Sequence, residues 1–340
     1  FLSSISLCNA LSAMLRQRTF FVTGSTDGIG KHTSQKLASD GHALLVHGRK
    51  APSDKIVKSL IQDLESRGAA QVAYLQADLS DLKQVESLVG QVATQLQLWQ
   101  TQSSDDDDDG KPPSIPSLDV LINNAGVFDP EPRHSAQGFD ATMAINVLAP
   151  FVLTRKLLPN LIRGNDARIV TTSSISQSRT LPEINSLFAR KLPNGKYDAT
   201  PLPYSAHSSY SHSKLGDLLF TSHLAKLLSS YEQPPSAVEH SQTLIDNIHK
   251  IQCLTMDPGT VNTKMLLAGW GPCGISVRNA SNTYKLATGE GYSFREVESG
   301  SYHFGWGASR DVEDEVKMKK FWTKLSKCTG VNYDDFTDCL

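Results

Sequence analysis

The chain has 340 residues, 39% hydrophobic and 20% charged, which is an ordinary globular composition able to bury a sizeable core without staples. Its net charge of −2 excludes a global field that would recruit nucleic acid or an acidic membrane. The five cysteines, Cys8, Cys253, Cys273, Cys328 and Cys339, are odd in number and form no CxxC, which argues against a disulfide framework or a zinc site and for a reducing compartment.

Residues 1–17 are expected to be a tail or a targeting remnant. The chain starts at Phe1, and the first eighteen residues hold two Arg and no acid. That composition fits the end of an organelle targeting peptide or a weak signal region; the simpler reading is a disordered tail. Localisation is therefore left as cytoplasmic or organellar. No run approaches the ~18 apolar residues of a membrane-crossing helix, so no transmembrane segment is expected.

From residue 18 onward, strands and helices alternate. Short apolar runs at Phe20–Thr23, Ala43–Val46, Val72–Leu75, Val120–Ile122, Ile169–Thr172 and Ile251–Met256 read as buried strands. Helical patterns separate them at Gly28–Ser39, Lys55–Arg67, Leu82–Trp99, Phe139–Asn160 and Tyr210–Ser229. Such alternation indicates an α/β domain built on a doubly wound parallel sheet. Three polar stretches interrupt it, at 100–117, 178–207 and 231–248. They read as loop insertions within one domain, residues 18–340, rather than as domain boundaries. The first holds Asp105–Asp109, and its like charges and nearby prolines predict a solvated, disordered loop.

After the first strand comes Thr23-Gly24-Ser25-Thr26-Asp27-Gly28-Ile29-Gly30. Gly24 permits the sharp turn, Gly28 lets the backbone approach a pyrophosphate, and Gly30 lets the helix pack on the sheet. The helix N-terminus then offers unpaired N–H groups and a positive dipole end to phosphate. At the end of the second strand stands His47-Gly48-Arg49-Lys50, with no acid until Asp54. A reader of the ribose 2′-hydroxyl would place an acid there; Arg49 can instead fork onto a 2′-phosphate, with Lys50 adding charge, so NADP(H) is the expected cofactor.

Tyr210 and Lys214 are four apart at the start of a helix, so a phenol and an ammonium face one site. A free tyrosine, with a pKa near ~10, is a poor base at neutral pH, and a neighbouring cation favours its charged form. Upstream, Ser174 follows a strand end and Asn146 lies in the long helix after the fourth strand. Tyr204 is a weaker candidate, because Ser208 occupies the position four residues on.

Taken together, these residues resemble the short-chain dehydrogenase/reductase family, from about residue 18 to about residue 330. The matching motifs are Thr23 to Gly30, Asp78-Leu79, Asn123-Asn124-Ala125-Gly126, Asn146, Ser174, Tyr210-x-x-x-Lys214, and Pro258-Gly259-Thr260-Val261-Asn262-Thr263. The long interval between Ser174 and Tyr210, and the tail containing Ala308 to Asp311 and Lys320 to Trp322, resemble retinol-dehydrogenase-like and chloroplast-envelope-type members.

The resemblance implies a Rossmann fold and a set of roles. Tyr210 is the general acid in reduction and the general base in oxidation. Lys214 binds the nicotinamide ribose and eases ionisation of Tyr210. Ser174 hydrogen-bonds the substrate oxygen, and Asn146 anchors a proton-relaying water. Asp78, with Leu79, contacts the adenine, and Gly126, after Ala125, lets the chain pass the adenine ribose. Asn124 stabilises the central strands. Pro258, Gly259, Val261 and Thr263 hold the carboxamide end. Asp27, where the family more often has Ser or Asn, is open to two readings, a helix cap or a charge that weakens phosphate binding.

Residues 264–300 fall where the family places its substrate lid, and Met265, Leu266, Leu267 and Trp270 suit either a lipophilic ketone, aldehyde or alcohol or ordinary lid packing. The expected partner is thus a small carbonyl or alcohol; a homo-oligomer is left open, and no metal is expected. A cofactor-bound regulatory or scaffold protein without turnover is the alternative. A sugar-nucleotide epimerase is disfavoured because it needs a larger C-terminal substrate domain.

Overall fold

The computed structural model describes residues 17–103, 115–232, 242–290, 298–304 and 313–339. The expectations for residues 1–16 and for Asp105–Asp109 lie outside these.

Seven strands form one parallel sheet: β1 (Thr19–Val22), β2 (Ala43–Gly48), β3 (Gln71–Gln76), β4 (Val120–Asn123), β5 (Arg168–Thr172), β6 (Gln252–Met256) and β7 (Tyr302–His303), in the order β3-β2-β1-β4-β5-β6-β7. The helices are α1 (Gly28–Ser39), α2 (Lys55–Ser66), α3 (Leu82–Ser103), α4 (Ala141–Leu161), α5 (Ala206–Ser229), α6 (Gln242–Lys250), α7 (Lys264–Gly269), α8 (Asn282–Thr288) and α9 (Glu315–Thr329). The doubly wound Rossmann architecture expected from the sequence is present.

The strands are apolar on both sides because helices cover both faces. In β1, Phe20 and Val22 pack with Leu37 of α1, Leu60 of α2 and Leu286 of α8. Phe21 points the other way, towards Val92 of α3, Phe151 of α4, Leu215 of α5 and Phe321 of α9. This alternation is the two-residue period of a strand read on a two-sided core.

The order in which strands are added reverses at β1, which pairs in parallel with β2 on one side and β4 on the other. A crevice opens beyond the carboxyl ends at such a switch point. The residues that begin the adjoining helices are set by caps. Asp27 accepts the backbone N–H of Gly28 at the head of α1, and Ser205 accepts that of Ser208 at the head of α5.

Helix α4 is long and apolar enough to cross a membrane, yet 94% of its most apolar window is buried in the protein. Within it, Ala144–Leu148 widens to a π-turn that carries Asn146. Pro150 lies four residues on and lacks the N–H that would bond the Asn146 carbonyl in a regular helix, which accounts for the widening.

The C-terminal residues clasp this helix. The Arg155 guanidinium donates to Asn332 O at 2.7 Å and Asp335 O at 3.0 Å, and pairs with Asp338. Tyr333 Oη donates to Phe151 O at 2.7 Å, and Trp322 of α9 lies against Phe151, Phe220 and Tyr333.

Two readings of the sequence are corrected. Residues 231–248 are not wholly loop, because Gln242–Lys250 forms α6 and buries Ile245 and Ile248, three residues apart on one face. Helix α5 starts a turn earlier than Tyr210, at Ala206, because Ser205 supplies the cap. Of the stretch 178–207, residues 178–205 stay irregular apart from a helical turn at Ile184–Leu187, and the last two open α5.

Candidate active site

The turn between β1 and α1 is the most constrained backbone in the site. Gly24 has φ +68°, and a Cβ there would lie 2.9 Å from Ala125 Cα. A Cβ on Gly30 would lie 2.4 Å from both Asn124 Nδ2 and Gly24 O. The chain therefore turns and closes on the loop after β4 in a space that excludes side chains. Thr23 Oγ1 accepts the backbone N–H groups of Asn124 and Ala125, each at 3.0 Å, and Asn124 Nδ2 donates to Thr23 O at 2.9 Å. Asn124 thus ties β1 to β4.

His47 supports the same turn from β2. Its Nδ1 accepts the Gly24 N–H at 3.2 Å and its Nε2 donates to Ala77 O at 3.1 Å. Burial pushes this imidazole down to about 4, so it is neutral and the Nε2 tautomer satisfies both contacts. Ser25 does not face the crevice as expected. It is fully buried, its N–H donates to His47 O and its hydroxyl to Val22 O. Its short side chain is consumed in bracing the turn.

One cavity of about 540 Å³ runs along the crevice. At one end it is lined by Gly24, Thr26, Asp27, Gly28, Ile29 and Gly30, with Arg49, Asp78 and Leu79 beyond. Lys50 turns away to Asp54, at 3.0 Å. Asp54 also caps α2, so the first carboxylate after β2 is committed to the helix. Of the two readings left open by the sequence, Asp27 takes the first, the helix cap. Its carboxylate also pairs with Lys264 at the start of α7. Although burial opposes this, hydrogen bonds from Lys264 and Gly28 hold the Asp27 carboxyl below its ordinary value.

Asn124, Ala125, Gly126, Ser174, Tyr210, Lys214, Pro258, Gly259, Val261 and Thr263 line the rest of the cavity, under Met265, Leu266 and Trp270 of the α7 segment. Trp270 stands edge-on to Tyr210, with ring centres 5.4 Å apart, and Phe128 lies 4.9 Å from Trp270. Ser174 Oγ accepts the Ser176 N–H at 3.1 Å. Asn146 lies behind the wall rather than in it. Its side chain accepts the Val127 N–H at 2.8 Å and donates to Val127 O and Ser213 Oγ. It therefore fixes the loop that carries Gly126. Lys214 Nζ lies 5.7 Å from the centre of the Tyr210 ring and donates at 2.8 Å to Thr172 O and to Asp217.

Sequence matches agree with this geometry. The short chain dehydrogenase family model matches residues 112–189, and the KR domain model matches residues 18–99. Human polyprenol dehydrogenase is 28% identical over 337 residues, spanning 92% of this chain and 86% of the relative. Human retinol dehydrogenase 11 is 29% identical over 242 residues, spanning 69% and 65% respectively. The chain belongs to the short-chain dehydrogenase/reductase family. Among solved structures, a protein from Mycobacterium paratuberculosis aligns with TM-score 0.62 at 23% identity over 94% of this chain and 96% of that one. NADPH-bound carbonyl reductase from chicken fatty liver aligns with TM-score 0.56 at 19% identity over 86% and 98%. These two likenesses concern the fold.

As a family member, the chain places Tyr210 and Lys214 on α5, Ser174 after β5 and the glycine turn after β1 around one space. His47, Asp217 and Lys264 were not singled out from the sequence. His47 and Asp217 carry no motif signal; their parts depend on contacts across strands and one helical turn.

Proposed function

We propose that this short-chain dehydrogenase/reductase interconverts a carbonyl and an alcohol on a lipophilic small molecule with NADP(H). The observation that carries the reading is the single cavity shared by the glycine turn, Arg49, Ser174, Tyr210 and Lys214. The glycine turn and the α1 N-terminus fit a dinucleotide, since side chains are excluded at Gly24 and Gly30 and helix N–H groups face the crevice. Arg49 lines the cavity where the cofactor's ribose 2′-phosphate would lie, and Asp54, the first carboxylate after β2, is turned to α2 and Lys50.

A bound nicotinamide would supply or accept the hydride. In reduction Tyr210 gives its phenolic proton to the carbonyl oxygen as the new C–H bond forms, and in oxidation it takes the proton back. Ser174 Oγ–H donates to the same oxygen and holds it for transfer. Lys214 keeps a positive charge beside the phenol and has one N–H left for the cofactor ribose. Met265, Leu266 and Trp270, the last backed by Phe128, give the substrate end an apolar, aromatic wall, which suits a lipophilic chain. Two relatives, a polyprenol dehydrogenase and a retinol dehydrogenase, are named for that class of alcohol.

A panel of aliphatic, isoprenoid and aromatic aldehydes, ketones and alcohols, followed by the change in NADPH absorbance, tests the proposal. Turnover should rise with apolar chain length and be faster with NADP(H) than with NAD(H). NADPH binding without turnover on any substrate would replace the enzyme reading with a cofactor-bound scaffold.

A further inference from the structure

One buried acid has no part in the chemistry described so far. Asp217 sits one turn beyond Lys214 on α5, 2% exposed, and its Oδ2 lies 2.8 Å from Lys214 Nζ. Lys214 is itself 3% exposed. Its second hydrogen bond goes to Thr172 O at the end of β5. Two of the three ammonium protons are thus fixed from behind, and the third is left to the cavity. The other carboxylate oxygen, Oδ1, has no hydrogen-bond partner. Asp217 is therefore held by Lys214 alone, and the two form a near-neutral unit where a lone cation would otherwise face Tyr210.

We propose that Asp217 is the counter-ion of Lys214, a positioning residue that aims the ammonium and sets the pH range in which Tyr210 works. This rests on Tyr210 being the acid–base group.

The physical argument has two parts. A lone buried ammonium would favour the phenolate of Tyr210 more strongly than an ammonium–carboxylate pair does, because the carboxylate cancels part of its field. A lone buried ammonium is also easier to deprotonate, since burial disfavours charge. With the pair intact, Asp217 and Tyr210 hold the Lys214 ammonium above its ordinary value against the pull of burial. Burial pushes the Asp217 carboxyl up to about 7 despite Lys214. Other charged neighbours are few. Asp257, after β6, acts on Tyr302 of β7, and Tyr302 also feels Tyr210. The π-turn of α4 presents neutral Asn146, and β5 presents Thr172. None of these stands beside Nζ as Asp217 does.

Asp217→Asn keeps the shape and a hydrogen bond to Nζ while removing the charge. Both limbs of the alcohol-oxidation pH–rate profile should move to lower pH by about one to three units, the span expected of one charge roughly 12 to 4 Å away with an effective dielectric near 20. A residue that only packs would lower the rate at every pH without moving the profile; an unmoved profile in active Asp217→Asn overturns the proposal and leaves the proposed reaction standing. Thermal denaturation provides a second test that needs no substrate. Lys214→Met strands a buried carboxylate and should lower the melting temperature sharply, and adding Asp217→Asn should recover most of the loss. If the double variant melts no higher than Lys214→Met, Asp217 is not the counter-ion. Recovery in a protein that turns over no substrate would uphold the pairing and count against the reaction instead.

Discussion

His47 Nδ1 accepts the backbone N–H of Gly24 at 3.2 Å, so a side chain of the second strand holds the turn that leaves the first. The contact exists only while Nδ1 is unprotonated. With the pKa lowered from 6.5 to about 4, the imidazole contributes stability that is fully present above pH 6.5 and is lost as pH falls through about 4. A displacement of that size corresponds to roughly 3 kcal/mol. The melting temperature and NADPH affinity should therefore both decline between pH 6.5 and 4. His47→Gln, which can accept from Gly24 and donate to Ala77 without titrating, should flatten the decline. An equally steep decline in His47→Gln would assign the acid sensitivity to another group.

Asp27 places a carboxylate beside the helix end that would meet phosphate, held there by Lys264. Asn caps a helix about as well as Asp. Asp27→Asn should keep α1 intact and tighten NADPH binding by roughly threefold to tenfold at low salt, with the gain shrinking as salt rises. Fluorescence titration at two ionic strengths measures it. Unchanged affinity at both would mean that Lys264 already neutralises the carboxylate.

Arg49 lines the cavity, whereas Lys50 is turned to Asp54. Arg49→Asp should weaken NADPH by about tenfold to a hundredfold, the worth of a charge-assisted hydrogen bond, and leave NADH unaffected or improved. Lys50→Ala should change little. If the two variants weaken NADPH equally, the 2′-phosphate is read by diffuse charge and not by the Arg49 fork.

Tyr210→Phe removes one oxygen from a ring packed against Phe128 and Trp270. Turnover should fall by about 10²–10⁴-fold with NADPH binding retained. Ser174→Ala should lower the rate with little change in cofactor affinity. A Tyr210→Phe protein that reduces substrate at the wild-type rate would transfer the role to another group. Tyr204 could not take it without moving, since its hydroxyl donates to Asp129 O and Glu131 O.

Much of the fold and of the site is legible in the sequence. The apolar runs of β1, β2 and β4 are unbroken because both faces are buried, and the glycines after β1 stand where side chains do not fit. Such signals are local, and they located the crevice and most of its lining. Ser25 is not legible in this way, because its place within the glycine run says nothing about which way its hydroxyl turns. His47 and Asp217 were passed over because one depends on a neighbouring strand and the other on a lysine whose rear face only the packed helix defines. Helix α6 was missed because two buried isoleucines among polar residues make too short a periodic pattern.

The clasp on Arg155 bears on how the chain reaches its native state. Its partners Asn332 and Asp338 are 177 and 183 positions away. Contacts of such separation form late, because ordering a long loop precedes any gain from closing it. Until they form, α4 carries a solvated cation on its flank, and the layer of α9 and Tyr333 over Phe151 stays open. In the half of the sheet bearing the glycine turn, β1, β2 and β3 follow one another closely in the chain, so their pairing closes shorter loops. Refolding should therefore pair β1, β2 and β3 in an early phase and restore the Trp322 environment in a later one.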